Sequence, residues 1–192
     1  MAEPKTPTSR MNVDQFMAWY DQQPDGMRYE LLNGVVYPNE AQGERLIHAE
    51  IKTRVSEQLR AQIRAKKLSC QGFGDGMAVR IDSDTTLEPD ASVRCGPRLP
   101  GDTIVIPDPL IVIEVVSPSS QRIDAVEKLT QYFRNPSILF YLIVLPTTRQ
   151  AIRHRRGENG DISTSIHSSG VIEFDPPGLS LDLNELFDES GF

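Results

Sequence analysis

The segment Leu110-Ile111-Val112-Ile113-Glu114-Val115-Val116 constrains this chain most. It is apolar and β-branched, broken by one acid, and too short for a helix. Such a run reads as a central strand buried on both faces. Ser117-Pro118-Ser119-Ser120 then offers a helix N-cap, and Gln121 to Phe133 places Ile123, Val126, Leu129 and Phe133 at helical spacing. Leu139 to Leu145 reads as a second buried strand. Together these pieces have the length of a βαβ crossover.

Other elements follow from local pattern. Asn12 with Gln15 makes a capping box for a helix running to about Gln22 and stopped by Pro24-Asp25-Gly26. Asn33-Gly34 between Tyr29–Leu32 and Val35–Tyr37 predicts a hairpin, because both turn residues need positive φ. Glu44 to Lys67 carries Ile47, Ile51, Val55, Leu59 and Ile63 every four residues, one stripe of a long amphipathic helix. The glycines of Gly72-Phe73-Gly74-Asp75-Gly76 are expected in a turn or bulge; alternation at Met77, Val79 and Ile81 means a strand follows, not the helix of a dinucleotide site. Asp82-Ser83-Asp84 is expected to be a hairpin loop, since it lacks the glycine and glutamate of a calcium loop. Asp90 to Cys95 alternates as a strand, Pro97 to Pro109 reads as a loop, and Gln150 to Arg156 as another strand. Short strands near 162–166 and 171–174 are expected to continue the sheet, with Leu181 to Phe187 a terminal helix or turn. The order predicts an α/β fold with a mixed, curved sheet flanked by helices. Its 192 residues, 39% hydrophobic, suffice for an arm over 1–11 and one domain over 12–192.

A net charge of −7 argues against a general nucleic-acid-coating protein but not against local contact through a metal. No run of about 18 apolar residues exists for a membrane span. Met1 to Arg10 is polar, so a secretory leader is not expected. Cys70 and Cys95 have no zinc-ligand spacing and are expected as reduced, buried thiols in the cytoplasm.

Glu114 is the anomaly. It shares a strand face with Val112 and Val116, where an unpaired carboxylate would cost several kcal/mol. A metal, a Lys or Arg, or a solvent-filled cleft must compensate it. Asp90, after Pro89, opens a strand twenty-four residues earlier, and neighbouring strands could bring both acids to one cleft edge. Two carboxylates with waters suit Mg²⁺ or Mn²⁺. Lys128 lies four residues after Asp124, either as an exposed helical pair or pointing back at the sheet edge to hold a water or phosphate oxygen.

Tyr29-Glu30-Leu31-Leu32-Asn33-Gly34, His48 at a helix start, Pro89-Asp90, Glu114-Val115-Val116-Ser117-Pro118-Ser119-Ser120, Asp124, Glu127-Lys128-Leu129 and Tyr132 together resemble the Uma2 family of the PD-(D/E)XK nuclease superfamily. The resemblance covers residues 12–187. It implies a restriction-endonuclease-like core with Asp90 and Glu114 as metal ligands, Glu30 as a third carboxylate and His48 lining the same site. The superfamily places a lysine two residues after the glutamate; here that residue is Val116, and the family pattern passes the role to Lys128. The function implied is metal-dependent phosphodiester hydrolysis, with DNA as partner. A homodimer is expected, reaching both strands. Arg153, Arg155, Arg156 and the cations of the long helix are candidates for phosphate contacts. The alternative is a non-catalytic nucleic-acid-binding or assembly module on the same fold.

Overall fold

The structure, a computed structural model, describes residues 7–24, 27–38, 45–116 and 124–188, without the side chains of 124–127. The proposed cap at Ser117–Ser120, the stop at Asp25-Gly26, Glu44, Ile123 and the Asp124 side chain lie outside the described residues. Asn12 caps α1 (Val13–Tyr20) through the reciprocal box with Gln15. Strands β1 (Tyr29–Leu32) and β2 (Val35–Pro38) pair across the Asn-Gly turn, with φ of 49° at Asn33 and 79° at Gly34. The apolar stripe of α2 (Leu46–Ala65) buries Ile51, Val55, Leu59 and Ile63, whereas Ile47 is exposed.

Then come β3 (Cys70–Phe73), β4 (Ala78–Arg80), β5 (Thr86–Leu87), β6 (Ala91–Cys95), β7 (Val105–Ile106) and β8 (Ile111–Val115). Helix α3 (Asp124–Tyr132) leads into β9 (Phe140–Leu145), β10 (Gln150–Arg156), β11 (Ile162–His167), β12 (Val171–Phe174), β13 (Leu179–Asp182) and α4 (Leu183–Leu186). The crossover is present: β8 pairs parallel with β9, and every β8 residue is buried.

Six strands form one mixed sheet in the order β11-β10-β9-β8-β6-β3. On one face α2 packs against Val93, Ile111, Ile113 and Leu142, together with Phe174 and Leu181 of the β12–β13 ribbon. On the other, Val112, Tyr141 and Ile143 meet Tyr132 of α3 and Val79, Leu87 and Ile106 of a five-stranded sheet ordered β2-β1-β5-β4-β7. Residues of α1 close the outer side of that second sheet through Val13 and Phe16 on Tyr29, Leu31 and Val36.

Four local expectations need correction. Gly72 and Phe73 lie within β3 rather than in a turn, which comes only at Asp75-Gly76; a side chain at Gly72 would press on Arg60 of α2, at 3.2 Å, so the glycine serves close helix–strand approach. The loop before Pro109 contains β7, two residues long and therefore without readable periodicity. Strand β12 leaves the main sheet to pair with β13, whose last two residues, Leu181 and Asp182, fall where the pattern predicts a terminal helix or turn. Finally, Cys70 and Cys95 are not free thiols: they stand opposite each other on β3 and β6 and form a disulfide. Their separation of 25 residues hid that adjacency. Structural disulfides belong mostly to oxidising compartments, so the cysteines do not speak for a cytoplasmic location. Among the described residues, no helix is long and apolar enough to cross a membrane.

Candidate active site

Antiparallel pairing of β6 with β8 sets Ala91 against Ile113, so one further step along the register brings Asp90 to Glu114. The Val115 amide donates to Asp90 Oδ2 at 2.6 Å. That bond ties the start of β6 to the end of β8. Both acids thus stand at one end of the sheet, where α2 and α3 come in from opposite faces.

Each acid receives a lysine. Lys128 Nζ lies 2.8 Å from Glu114 Oε1, and the Tyr132 hydroxyl donates to the same oxygen at 2.6 Å. Lys128 and Tyr132 are four residues apart, hence on one face of α3. Tyr132 is fully buried, so its hydroxyl needs this acceptor. Lys52 Nζ of α2 lies 2.8 Å from Asp90 Oδ1 and 3.3 Å from Asp75 Oδ2. Asp75 in turn meets Arg28 at 2.5 Å, and Arg28 meets Glu88 at 2.8 Å. The Glu88 amide donates to Glu30 Oε1 at 3.2 Å.

Burial pushes the Glu114 carboxyl above the usual carboxylate range; the Lys128 charge opposes the shift and Asp90 reinforces it. Burial likewise raises Glu30, again against the pull of Lys128. For Lys128, burial works against the charge, yet Glu114, Glu30 and Asp90 together raise its pKa. The ammonium is therefore held protonated at neutral pH. Burial and the neighbouring Glu114 raise Tyr132 well above 10, fixing it as a hydrogen-bond donor. Asp75 is lowered, since Arg28 and Lys52 outweigh its burial.

Of the five residues singled out in the sequence, Asp90, Glu114 and Lys128 come together directly. Glu30 joins them through Glu88 and the charge of Lys128. His48 is buried on α2 one turn before Lys52, but the bonds that knit the cluster run through Lys52. The sequence marks Lys52 only as one of the cations of the long helix, and it gives Tyr132 no role. One signal was available: Tyr132 lies one turn beyond Lys128, and Lys52 one turn beyond His48. The Arg28–Asp75–Glu88 relay links residues up to 60 apart in sequence and left no local trace.

Among the described residues no three His, Cys, Asp or Glu side chains form a ready metal cage. The donor set still fits a magnesium-like ion. That ion binds through one or two carboxylates and keeps waters for substrate to displace. Asp90 and Glu114 are hard oxygen donors, and the five acids of the cluster outnumber its three cations by two charges. The candidate phosphate contacts on β10 are otherwise engaged. Arg153 and Arg155 donate to the carbonyls of Glu173 and Asp175, and Arg156 to those of Ile138, Phe133 and Asn135.

Comparisons with known proteins bear on the fold and the family. A crystal structure described as that of "a putative nuclease belonging to DUF820" from Anabaena variabilis superposes with a TM-score of 0.71 over 92% of this chain and 97% of that one, at 14% identity. At that identity the likeness speaks for the fold. An uncharacterized protein of Synechocystis sp. is 25% identical over 194 residues, covering 96% of this chain and 95% of its own. A family model described as "Putative restriction endonuclease" matches residues 13–185, a span that runs from α1 to α4 and takes in every member of the acid–lysine cluster. On that match, the chain belongs to the Uma2 family of restriction-endonuclease-like proteins.

Proposed function

We propose that this protein is a divalent-metal-dependent endonuclease that hydrolyses phosphodiester bonds in DNA, with Asp90, Glu114 and Lys128 at its centre. The observation that carries the reading is the meeting of two strand-end carboxylates with a helix-borne ammonium 2.8 Å from Glu114. Asp90 and Glu114 would hold Mg²⁺ or Mn²⁺, and such an ion, when bound, lowers the pKa of a water and polarises a phosphoryl oxygen. Lys128 stays charged, so it donates hydrogen bonds to the attacking water or to a non-bridging oxygen; it does not act as a base. Tyr132 fixes the rotamer of Glu114, and Lys52 does the same for Asp90. Glu30, whose carboxyl burial raises against the pull of Lys128, would add a further negative oxygen beside the cleft. His48 stands behind Lys52 as a candidate to orient the shell. A homodimer would set two such sites against the two strands of a duplex.

A second reading has one observation in its favour: both acids already carry lysine partners. On that reading the cluster is a structural ion-pair network in a non-catalytic nucleic-acid-binding or assembly module. Incubation with supercoiled plasmid separates the two. The endonuclease nicks it with Mg²⁺ or Mn²⁺, and Asp90→Ala does not; the module leaves the plasmid intact under every condition.

A further inference from the structure

Most cations of this acidic chain are consumed internally. Arg28, Lys52 and Lys128 serve the carboxylates of the cluster, Arg94 meets Asp108, and the β10 arginines cap carbonyls. Arg60, Arg64 and Arg98 differ in that, among the described residues, no carbonyl takes their terminal guanidinium nitrogens, Arg60 giving only its Nε to Gly72. All three are exposed, and among the described residues none pairs with a carboxylate. They line one groove of about 500 Å³ with Gln71, Gly72 and Phe73 of β3.

The groove is held in place by specific bonds. Arg60 Nε donates to the Gly72 carbonyl at 2.9 Å, and the missing side chain at Gly72 lets the arginine stem lie close against the strand. The Leu99 amide donates to Gln71 Oε1 at 2.8 Å, which brings the Arg98 loop alongside β3. Helix α2 runs antiparallel to β3 over this stretch: Lys52 faces Asp75, Ser56 faces Gly74, and Arg60 faces Gly72. The groove therefore lies two turns and more beyond Lys52 along α2, on the side away from the Asp90–Glu114 cleft.

We infer that Arg60, Arg64 and Arg98 form a backbone track for nucleic acid, holding the phosphates that flank the one in the cleft. The inference rests on the proposed nuclease reading and names the surface through which a chain of net charge −7 would grip its substrate. From Lys52, Arg60 and Arg64 lie about 12 and about 18 Å along the helix axis, at 1.5 Å per residue. A strand of duplex presents a phosphate every ~3.4 Å of axis. The track thus meets phosphates roughly three to five steps from the scissile one. It touches no base edge, so it sets affinity and register without sequence preference.

The test is binding of a fluorescein-labelled DNA duplex to the full chain in EDTA, followed by anisotropy between about 50 and about 200 mM salt. The triple substitution Arg60→Gln, Arg64→Gln and Arg98→Gln should weaken binding about tenfold or more and flatten the slope of log Kd against log salt by about 2 to 3. The triple Arg→Lys variant should restore both, since the contact is ionic; melting curves check that each variant is folded. Unchanged affinity and slope in the glutamine triple, or no duplex binding by the native chain, would overturn the track. Plasmid cleavage run in parallel keeps the two claims apart. Cleavage by the native chain with native-like binding by the triple variant sinks the track alone. A salt slope lost in the triple variant, with no cleavage by the native chain, sinks the nuclease reading alone.

Discussion

Glu114 illustrates how one buried acid can be anchored from several sides and still have its pKa raised by burial. Lys128 and Tyr132 both bind its Oε1, yet burial leaves the carboxyl raised from its usual 4.5. A raised folded-state pKa gives stability that is full below the unfolded value and is lost as pH climbs through the folded one. Native protein should therefore lose stability relative to Glu114→Gln as pH rises from about 4.5. At neutral pH the Gln variant should match or exceed the native melting point, because the amide still accepts from Tyr132. Glu114→Ala should cost about 1–3 kcal/mol more than Gln, since it strands the buried Tyr132 hydroxyl. Denaturant melts of the three proteins across pH decide this. A loss beyond about 3 kcal/mol in Glu114→Gln would mean that the ion pair is a structural one. The anomaly of Glu114 was legible in the sequence because it interrupts an apolar run. Lys128 was legible too, through its place on the following helix, whereas the Tyr132 hydroxyl was not, since Tyr132 looks like any core aromatic at helical spacing.

The elements that locate the cluster differ in how openly the sequence declares them. The crossover from β8 to β9, the Asn-Gly hairpin and the α1 capping box follow from patterns within a dozen residues, and each is present. Pairings such as β4 with β7 and β12 with β13 depend on burial supplied by distant residues, so the sequence left them unmarked. The disulfide is the sharpest instance. It staples the sheet-end strand β3 to β6, and β3 leads to Asp75 while β6 starts next to Asp90, the two acids that share Lys52. Closing a loop of 25 residues by a covalent bond should stabilise the fold by about 2–4 kcal/mol. Reduction, or the double variant Cys70→Ser and Cys95→Ser, should lower the unfolding free energy by that amount, read from urea titrations. An unchanged midpoint after reduction would show that the bond adds nothing to stability.

At the scale of the whole molecule, a mixed sheet sandwiched between α2 on one side and α3 with a second sheet on the other delivers two lysines to one pair of acids. The overall α/β layout was readable from element order; the convergence of α2 on the same strand end was not, because a helix's packing direction is set by tertiary contacts. Selective binding of a dication to the folded chain should raise its melting point. Mn²⁺ or Mg²⁺ should give that shift in the native protein, and Asp90→Ala and Glu114→Ala should each abolish it. A shift that survives both changes would place the ion elsewhere. The central claim is that α3 supplies the catalytic cation which Val116 cannot. Single-turnover cleavage of plasmid by Lys128→Ala, at saturating metal, tests this most directly. The account predicts a rate at least about a hundredfold below native, with the Mn²⁺-induced melting shift retained. Cleavage at the native rate in that variant would contradict it.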